Sequence, residues 1–337
     1  MNTVAFVVPE GIGDPQRVSG GNVYDARVSD GLAQIGWDMR TMTTEPNAAA
    51  APLSQLADGA LVLIDGLVAA RSAAAVEAES WRLRIVVLAH MVASAFPDAD
   101  PRDVAGERQA LAAARRVVAT SAWTKAELVE RGLVEPDRIV VAPPGTDAAA
   151  PALGSARGTA LLCLGVVAPH KGQDVLVEAL ADLDADVDWT CTIAGSLETI
   201  PAFAHRVADD AAALGERVRM PGVLAGTALD DAYRDADLLV APSRVEAYGM
   251  AVTGALGRGI PVVASDVGGI PEAVAPGHAA LLVPPGDARA LADALERWMA
   301  DPRLRERLTA AARSGRERRP LWSDTAARVA AALEEAG

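Results

Sequence analysis

Short apolar runs alternate along the chain with longer segments that have the spacing of amphipathic helices. A run of this length that ends at a turn residue is typical of a buried parallel strand. In the first part of the chain such runs lie at 4–8, 61–64, 85–89, 117–119 and 139–141, and helical segments lie at 23–35 and 107–116. This alternation predicts a parallel sheet with helices on both faces.

The alternation starts again after a segment without periodicity. Residues 143–159, PPGTDAAAPALGSARGT, have the composition of a linker. Apolar runs then follow at 161–164, 189–193, 218–220, 238–240, 262–264 and 281–283, with helical segments at 173–183, 202–214 and 288–299. The predicted fold is α/β, with two Rossmann-like doubly wound domains facing a cleft. The predicted division is a domain at 1–148, a linker at 149–158, a domain at 159–318 and a C-terminal helix at 319–337 that packs back on the first domain.

Charge limits the range of partners. The 337 residues carry a formal net charge of −14, which argues against nucleic acids and anionic membranes. The N-terminus lacks a basic signal-peptide region, and no apolar run is long enough to span a bilayer. We therefore expect a cytoplasmic protein that does not associate with membranes.

The segment between residues 302 and 320 is rich in arginine, with seven Arg and two Glu. The main interpretation is a solvated helix face, and the alternative is a patch that binds acidic lipids.

Cysteine and histidine give no sign of a metal site. Cys163 and Cys191 each lie within an apolar run, so we expect buried thiols rather than a disulfide or a metal-binding pair. The four histidines are far apart in sequence and match no metal-binding spacing.

The segment at 240–274 carries the clearest functional signal. A short strand closed by Pro242 is followed by a loop with Glu246 and Gly249, a helix at 251–259, a second strand and a Gly-Gly turn. A carboxylate and a flexible backbone thus gather beyond the C-terminal end of a strand, where open α/β sheets bind ligands. The helix N-terminus that follows favours an anion.

This segment, with PSRVEAYGM at its centre, resembles the donor-sugar motif of the retaining glycosyltransferases of family four. The family motif has two glutamates, and here the first is Glu246 while the second position holds Gly254. Four more segments resemble the same family, so that the resemblance covers nearly the whole chain: residues 11–37, 119–147, 162–183 and 281–308. The resemblance implies the two-domain GT-B architecture.

The resemblance also implies roles for residues near the sugar donor. Glu246 would accept hydrogen bonds from sugar hydroxyls, and Lys171, in the turn APHKG, would contact the diphosphate. The family's arginine five residues before this lysine is Val166 here, and His170 or Arg244 would compensate for it. Backbone N–H groups would face the sugar and phosphate at four positions: Ala247, Tyr248, Gly249 and Met250.

Residues of the first half add candidates with two open interpretations each. His90 ends a predicted strand and is similar to the family's histidine near the reacting sugar, or it is a histidine of the core. The amides of Gly20 and Gly21 precede a helix and would meet a phosphate or the acceptor, or they form a plain turn. Asp65 is an acceptor-side contact or a turn-forming residue.

The resemblance implies a glycosyltransferase of the hexosyltransferase class. It would move a sugar with retention, by front-side attack, from a nucleotide-diphosphate sugar, its co-substrate, to an unknown hydroxyl-bearing acceptor, either a small molecule or a glycan, without a metal or another cofactor. Val166 and Gly254 motivate an alternative, a catalytically inactive relative that acts as a binding or activator protein. Gly254 would also make room for a neighbouring side chain or a different donor group. A GT-B epimerase or phosphorylase is a third hypothesis. The sequence indicates neither the base, the sugar nor the oligomeric state.

Overall fold

The computed structural model describes residues 2–14, 18–155, 157–184, 186–275 and 277–337. Contacts within this part of the chain form two compact units. The first unit contains residues 2–14, 21–145 and 320–337, and the second contains residues 18–20 and the described residues of 146–319. Residues 15–17 of the glycine-rich first loop and residue 156 of the predicted linker lie outside the described residues.

The first unit is a parallel six-stranded sheet covered by helices. The strand order is β2-β1-β3-β4-β5-β6. The strands are β1 Thr3–Pro9, β2 Asp38–Thr44, β3 Leu61–Asp65, β4 Arg84–Ala89, β5 Arg116–Ala119 and β6 Ile139–Val141. The helices before the second unit are α1 Gly20–Gln34, α2 Ala50–Ser54, α3 Gly66–Arg71, α4 Ala73–Glu79, α5 Pro101–Ala113 and α6 Ala122–Glu130.

The second unit repeats the plan, with strand order β12-β11-β10-β7-β8-β9. Its strands are β7 Ala160–Leu164, β8 Thr190–Ala194, β9 Val218–Gly222, β10 Leu238–Ala241, β11 Val262–Ser265 and β12 Ala280–Val283. Its helices are α7 Gln173–Ala181, α8 Pro201–Ala212, α9 Gly226–Asp235, α10 Met250–Gly257, α11 Ile270–Val274, α12 Ala288–Ala300 and α13 Pro302–Gly315. The last helix, α14 Trp322–Ala336, belongs to the first unit.

The central strands of each sheet are buried on both faces, which explains why they are apolar without alternation. In β1, Ala5 and Val7 pack in one core cluster, whereas Phe6 and Val8 pack in another that includes residues of α1 and α14. Strand β7 is divided in the same way, since Leu161 and Leu162 lie in different clusters. The predicted fold class, two doubly wound α/β units, is confirmed.

Two of the differences from the sequence prediction concern polar residues. Strand β2 was not predicted, because it is a polar edge strand with only Thr44 buried, and its pairing with β1 is what defines it. The prediction that the arginines at 302–320 form a solvated face is wrong for part of the set. Arg319 is buried and donates to the Ala273 carbonyl, and Arg316 donates to the Gly257 carbonyl.

The two thiols are free and buried, as predicted. Burial raises the pKa of Cys163 to about 12, and burial followed by the neighbouring Cys163 also raises the pKa of Cys191. Among the described residues, no helix combines the length and the apolar character that crossing a membrane would need.

Candidate functional site

Lys171 and Glu246 meet where the connections of the second sheet diverge. The chain leaves β7 toward β8, and it later places β10 on the other side of β7. In open α/β sheets ligands bind beyond such a point. Lys171 ends a 3₁₀ turn, Pro169–Lys171, after β7, and Glu246 lies in the loop after β10. The Nζ atom of Lys171 lies 2.6 Å from Oε2 of Glu246.

Glu246 is held in its ionised form. Burial raises the pKa of its carboxyl group, but the charge and hydrogen bond of Lys171, together with the Tyr248 N–H, more than offset this, and the pKa is lowered. The Ser243 hydroxyl also lies 3.4 Å from Oε2. An ionised carboxylate accepts hydrogen bonds and donates none, which suits it to sugar hydroxyls.

The two other predicted cations have different surroundings. Burial and the nearby Lys171 lower the pKa of His170 to about 4, so this imidazole is neutral at neutral pH. The guanidinium of Arg244 makes two hydrogen bonds to the Asp174 carboxylate, at 2.7 and 2.8 Å, and one to the Pro169 carbonyl. Its charge is therefore already matched by a carboxylate.

The loop that carries Glu246 leads directly into α10. Gly249 has φ +101°, a left-handed conformation that favours glycine, and it is the residue before the first turn of the helix. Ala247, Tyr248, Gly249 and Met250 thus form the link between the carboxylate and the helix N-terminus, whose N–H groups favour an anion.

The space next to Gly254, where a side chain would extend, is occupied by Tyr233. A Cβ atom on Gly254 would lie 2.6 Å from the Tyr233 hydroxyl. The ring of Tyr233 is buried, and the Arg258 guanidinium stacks over it at 4.3 Å from the ring centre. The prediction that Gly254 makes room for a neighbouring side chain is confirmed.

The loop at Val166 is fixed by a residue that the sequence analysis missed. Gln173, which is 1% exposed, donates from Nε2 to the Val166 carbonyl and accepts at Oε1 from the Ala168 N–H. A glutamine at the start of a helix gives no distinctive sequence signal, so only the structure identifies it as the support of this loop.

In the first unit, His90 contacts two buried carboxylates. Its Nε2 atom lies 2.8 Å from Oδ1 of Asp25 and 3.2 Å from Oδ2 of Asp65. Asp25 is on α1, after β1, and Asp65 ends β3, so both lie where the connections of the first sheet diverge between β1 and β3. We call these three residues the histidine cluster.

Electrostatics couple the members of the histidine cluster. Burial disfavours the imidazolium, but Asp25 and then Asp65 overcome this and raise the pKa of His90 to about 10. Burial raises the pKa of Asp25 to about 6, against the opposing effect of His90. Their polar atoms all lie within 4.8 Å of one another. The hydrogen bonds from Nε2 already account for this spacing, so we interpret the group as a hydrogen-bonded cluster.

Asp25 was missed by the sequence analysis, and Asp65 was assigned two roles. A weak signal for Asp25 exists, since this carboxylate lies on the helix face that buries Tyr24, Val28 and Leu32. Asp65 is the N-cap of α3, where its Oδ1 accepts from the Val68 N–H at 3.0 Å. The turn-forming role predicted for Asp65 is thus present, and its second oxygen faces His90.

The predicted glycines lie at the start of α1. The helix begins at Gly20. A Cβ atom on Gly21 would lie 3.5 Å from Cδ2 of His90, so the imidazole ring lies against this first turn. The predicted site residues therefore form two groups, Lys171 with the loop around Glu246 in the second unit and His90 with Gly21 in the first.

Two protein-family models match the chain. The model described as "Glycosyl transferases group 1" matches residues 146–315, and the one described as "Glycosyltransferase Family 4" matches residues 57–150. A D-inositol 3-phosphate glycosyltransferase of Streptomyces bingchenggensis is 33% identical over 77% of this chain and 63% of its own length. One of Actinosynnema mirum is 31% identical over 77% of this chain and 68% of its own. The chain therefore spans about 63% of the Streptomyces relative.

Solved structures show the same fold over almost the full chain. Sucrose-phosphate synthase from Thermosynechococcus elongatus matches with a TM-score of 0.81 at 22% identity, over 98% of each chain. Anabaena HepE in complex with UDP-glucose matches with a TM-score of 0.78 at 17% identity, over 99% of this chain and 100% of that one.

Proposed function

The chain belongs to the glycosyl transferases group 1 family, and on this premise we propose that it transfers a sugar from a nucleotide-diphosphate sugar to a hydroxyl group of an acceptor. The observation that carries the proposal is the ion pair of Lys171 and Glu246, at 2.6 Å, where the connections of the second sheet diverge. A cation and a hydrogen-bond acceptor thus lie together at the kind of position where open α/β sheets bind ligands.

The chemistry of transfer assigns a task to each member of the pair. As the bond from the sugar to the diphosphate breaks, negative charge grows on the leaving oxygen. Lys171 and the N–H groups at the start of α10 would stabilise that charge. Glu246 would accept hydrogen bonds from the sugar hydroxyls and fix the orientation of the ring.

We propose that transfer retains the anomeric configuration and needs no bound metal. The acceptor oxygen forms its bond to the anomeric carbon on the face from which the diphosphate leaves, and the acceptor proton passes to a phosphate oxygen. In this scheme Lys171 and the helix N-terminus supply the charge stabilisation. Retention follows the family resemblance of the segment around Glu246.

The relatives suggest which substrates to try first. UDP-glucose is the ligand named with the Anabaena structure, so we place it first among sugar donors. The curated relatives are named for D-inositol 3-phosphate, so an inositol phosphate comes first among acceptors. The two unpaired thiols fit a reducing compartment, and we place the reaction in the cytoplasm.

A thermal-shift panel with UDP, GDP, ADP, CMP and dTDP, with and without EDTA, tests the proposal. A ligand at about a hundred times its Kd adds about 2.7 kcal/mol to stability, which such a panel detects. We expect a shift with one nucleotide, unchanged by EDTA, followed by turnover of its sugar derivative. Nuclear magnetic resonance of the product's anomeric proton then reports retention or inversion.

Two lysine variants test whether nucleotide binding depends on Lys171. The chain has two lysines, so Lys171→Met has a natural matched control in Lys125→Met, in the first unit. We expect Lys171→Met to weaken nucleotide binding by about 10- to 100-fold, the range for a charge-assisted hydrogen bond, and Lys125→Met to leave it unchanged. No shift with any nucleotide would instead favour the inactive binding protein.

A further inference from the structure

The histidine cluster places two carboxylates on one nitrogen of His90. Asp25 Oδ1 and Asp65 Oδ2 approach Nε2 from two different elements, α1 and the end of β3. The side chains of Asp25 and Asp65 are 0% and 5% exposed, and that of His90 is 14% exposed. The acids are thus enclosed, while the imidazole keeps one accessible edge.

This geometry decides where the proton on His90 lies. Ionised carboxylate oxygens only accept hydrogen bonds, so Nε2 must carry a hydrogen to meet them. Within the described residues, Nδ1 makes no hydrogen bond to the protein. The second ring nitrogen is therefore the atom left for a ligand, and the acids fix the direction in which it points.

The charges around His90 favour a doubly protonated ring. The groups that face it are the two carboxylates and Tyr24, whose ring meets the imidazole edge-on at 5.2 Å. Burial, followed by the charge of Asp25, raises the pKa of Tyr24, so its hydroxyl stays neutral and donates to the Ala142 carbonyl. The Thr120 hydroxyl, which donates to the His90 carbonyl, does not titrate. The first turn of α1 adds a small opposing positive potential.

We infer that Asp25 and Asp65 are positioning residues that hold His90 as an imidazolium, so that its Nδ1–H donates a hydrogen bond to an oxygen atom of a bound substrate. This inference rests on the proposed function for the identity of the ligand. A neutral ring with its hydrogen on Nε2 would present a lone pair at Nδ1 and could only accept from a hydroxyl. The two acids therefore set the polarity of the contact as well as its direction.

Histidine titration followed by nuclear magnetic resonance tests the cluster without any turnover. The chain has four histidines, so the spectrum contains few ring C–H signals. The signal that disappears in His90→Gln belongs to His90. We expect the His90 signal of the wild type to stay in its protonated position to above pH 8. In Asp25→Asn the midpoint should fall by at least about one pH unit, since an opposite charge in direct contact shifts a pKa by about one to three units.

Two more variants keep the test decisive. Asp65→Asn removes the second charge but keeps an N-cap for α3, because asparagine also caps helices. Asp65→Asn should also lower the His90 midpoint, and it replaces Asp25→Asn in the titration if that variant does not fold. Asp30→Asn, an exposed position on the same helix α1, is the control and should leave the midpoint unchanged.

The pH dependence of turnover tests the role of the proton. The imidazolium is lost as pH rises through the pKa of His90, so kcat should have an alkaline limb, and that limb should move to lower pH in Asp25→Asn. A His90 midpoint near 6.5 in the wild type, or one that Asp25→Asn leaves in place, overturns the inference. So does a shifted midpoint with an unchanged rate profile. A wild type without turnover would instead refute the proposed function, and the titration would still decide whether the acids hold the proton.

Discussion

At the scale of single residues, the contact between Lys171 and Glu246 has consequences for stability as well as binding. Their side chains are 25% and 16% exposed, so each charge depends largely on the other for solvation. Glu246→Gln leaves the ammonium without its partner. We expect a loss of about 1–2 kcal/mol at pH 7, below the cost of breaking a fully buried pair because both groups keep some contact with water. Transfer should fall by at least about 10-fold.

This stabilisation should disappear in acid. The folded pKa of Glu246 lies below the ordinary value of 4.5, so its contribution is present above that value and is lost as pH falls through the folded pKa. Urea unfolding from pH 7 to pH 3 should show the wild type and Glu246→Gln converging below about pH 4.5. Glu296→Gln, an exposed position on α12, is the control. A stability difference that stays constant over this range would contradict the ion-pair account.

The space left by the absent side chain of Gly254 is filled by Tyr233. Because a Cβ atom there would lie 2.6 Å from the Tyr233 hydroxyl, Gly254→Ala must displace a buried ring. Overpacking of this kind costs about 1–3 kcal/mol, against a gain of up to about 1 kcal/mol in helix propensity. We expect net destabilisation in thermal or urea unfolding.

The same pair gives a double-mutant test. Tyr233→Phe removes the clashing oxygen and leaves ring carbon Cζ, at 3.3 Å, as the nearest atom. Alanine at 254 should therefore cost less in the Tyr233→Phe background than in the wild type, with a coupling of at least about 0.5 kcal/mol. Equal costs in both backgrounds would mean that the hydroxyl does not fill this space. A glutamate at 254 meets the same obstacle at its Cβ atom.

At the scale of elements, the Gly-Gly turn after β11 supports the loop that carries Glu246. The Gly269 N–H donates to the Glu246 carbonyl at 2.9 Å. A Cβ atom on Gly269 would lie 2.3 Å from the Ala247 carbonyl oxygen and 2.7 Å from the Tyr248 Cα atom. These contacts are with backbone, which cannot rotate away, so Gly269→Ala must move the loop itself.

Gly269→Ala should therefore weaken binding of the sugar donor even though residue 269 need not touch it. We expect at least about a 10-fold loss, the usual result when a fixed site is displaced by a fraction of an ångström. Gly257→Ala on α10 is the matched control, because its Cβ atom would meet Thr146 only at 3.8 Å. Titration calorimetry with the nucleotide that stabilises the protein measures both. Unchanged affinity in Gly269→Ala would show that this turn does not fix the loop.

An element could be predicted from the sequence where its own residues carry a readable apolar pattern. Strands such as β3, β4 and β10 are buried on both sides, so their apolar runs predicted them to within a residue or two. Strand β2 forms through its pairing with β1 and has little apolar character, so periodicity did not reveal it. The short helices α3 and α11 were also missed, since a few residues cannot show helical periodicity.

The residues of the candidate site also differ in how far the sequence predicts them. Lys171 and Glu246 follow strands in loops of distinctive composition, so their proximity could be predicted from the order of the elements. Asp25 looks like any polar residue of a helix until packing shows that it faces inward toward His90. A buried charge partner depends on side-chain contacts between distant segments, and a single sequence does not record these.

At the scale of the whole molecule, the chain end stabilises the unit in which the chain begins. Helix α14 follows the second unit in sequence, yet Val329 and Leu333 lie in the core cluster of the first sheet with Phe6 and Leu88. Leu333→Ala removes a side chain that is 0% exposed, and we expect it to lower the stability of the first unit by about 2–5 kcal/mol. Glu334→Ala, an exposed neighbour, should change stability by less than about 0.5 kcal/mol.

The location of this loss can be measured because each unit has its own reporters. Hydrogen exchange should become faster in β1, β3 and β4 of Leu333→Ala, since global opening of the first unit sets the exchange rate of its central strands. The thiols of Cys163 and Cys191 lie in a separate cluster of the second unit, so their alkylation should stay as slow as in the wild type. If alkylation accelerates together with exchange, the two units unfold as one and the chain end supports the entire protein. If neither changes, the side chain of Leu333 contributes less to the first sheet than its burial implies.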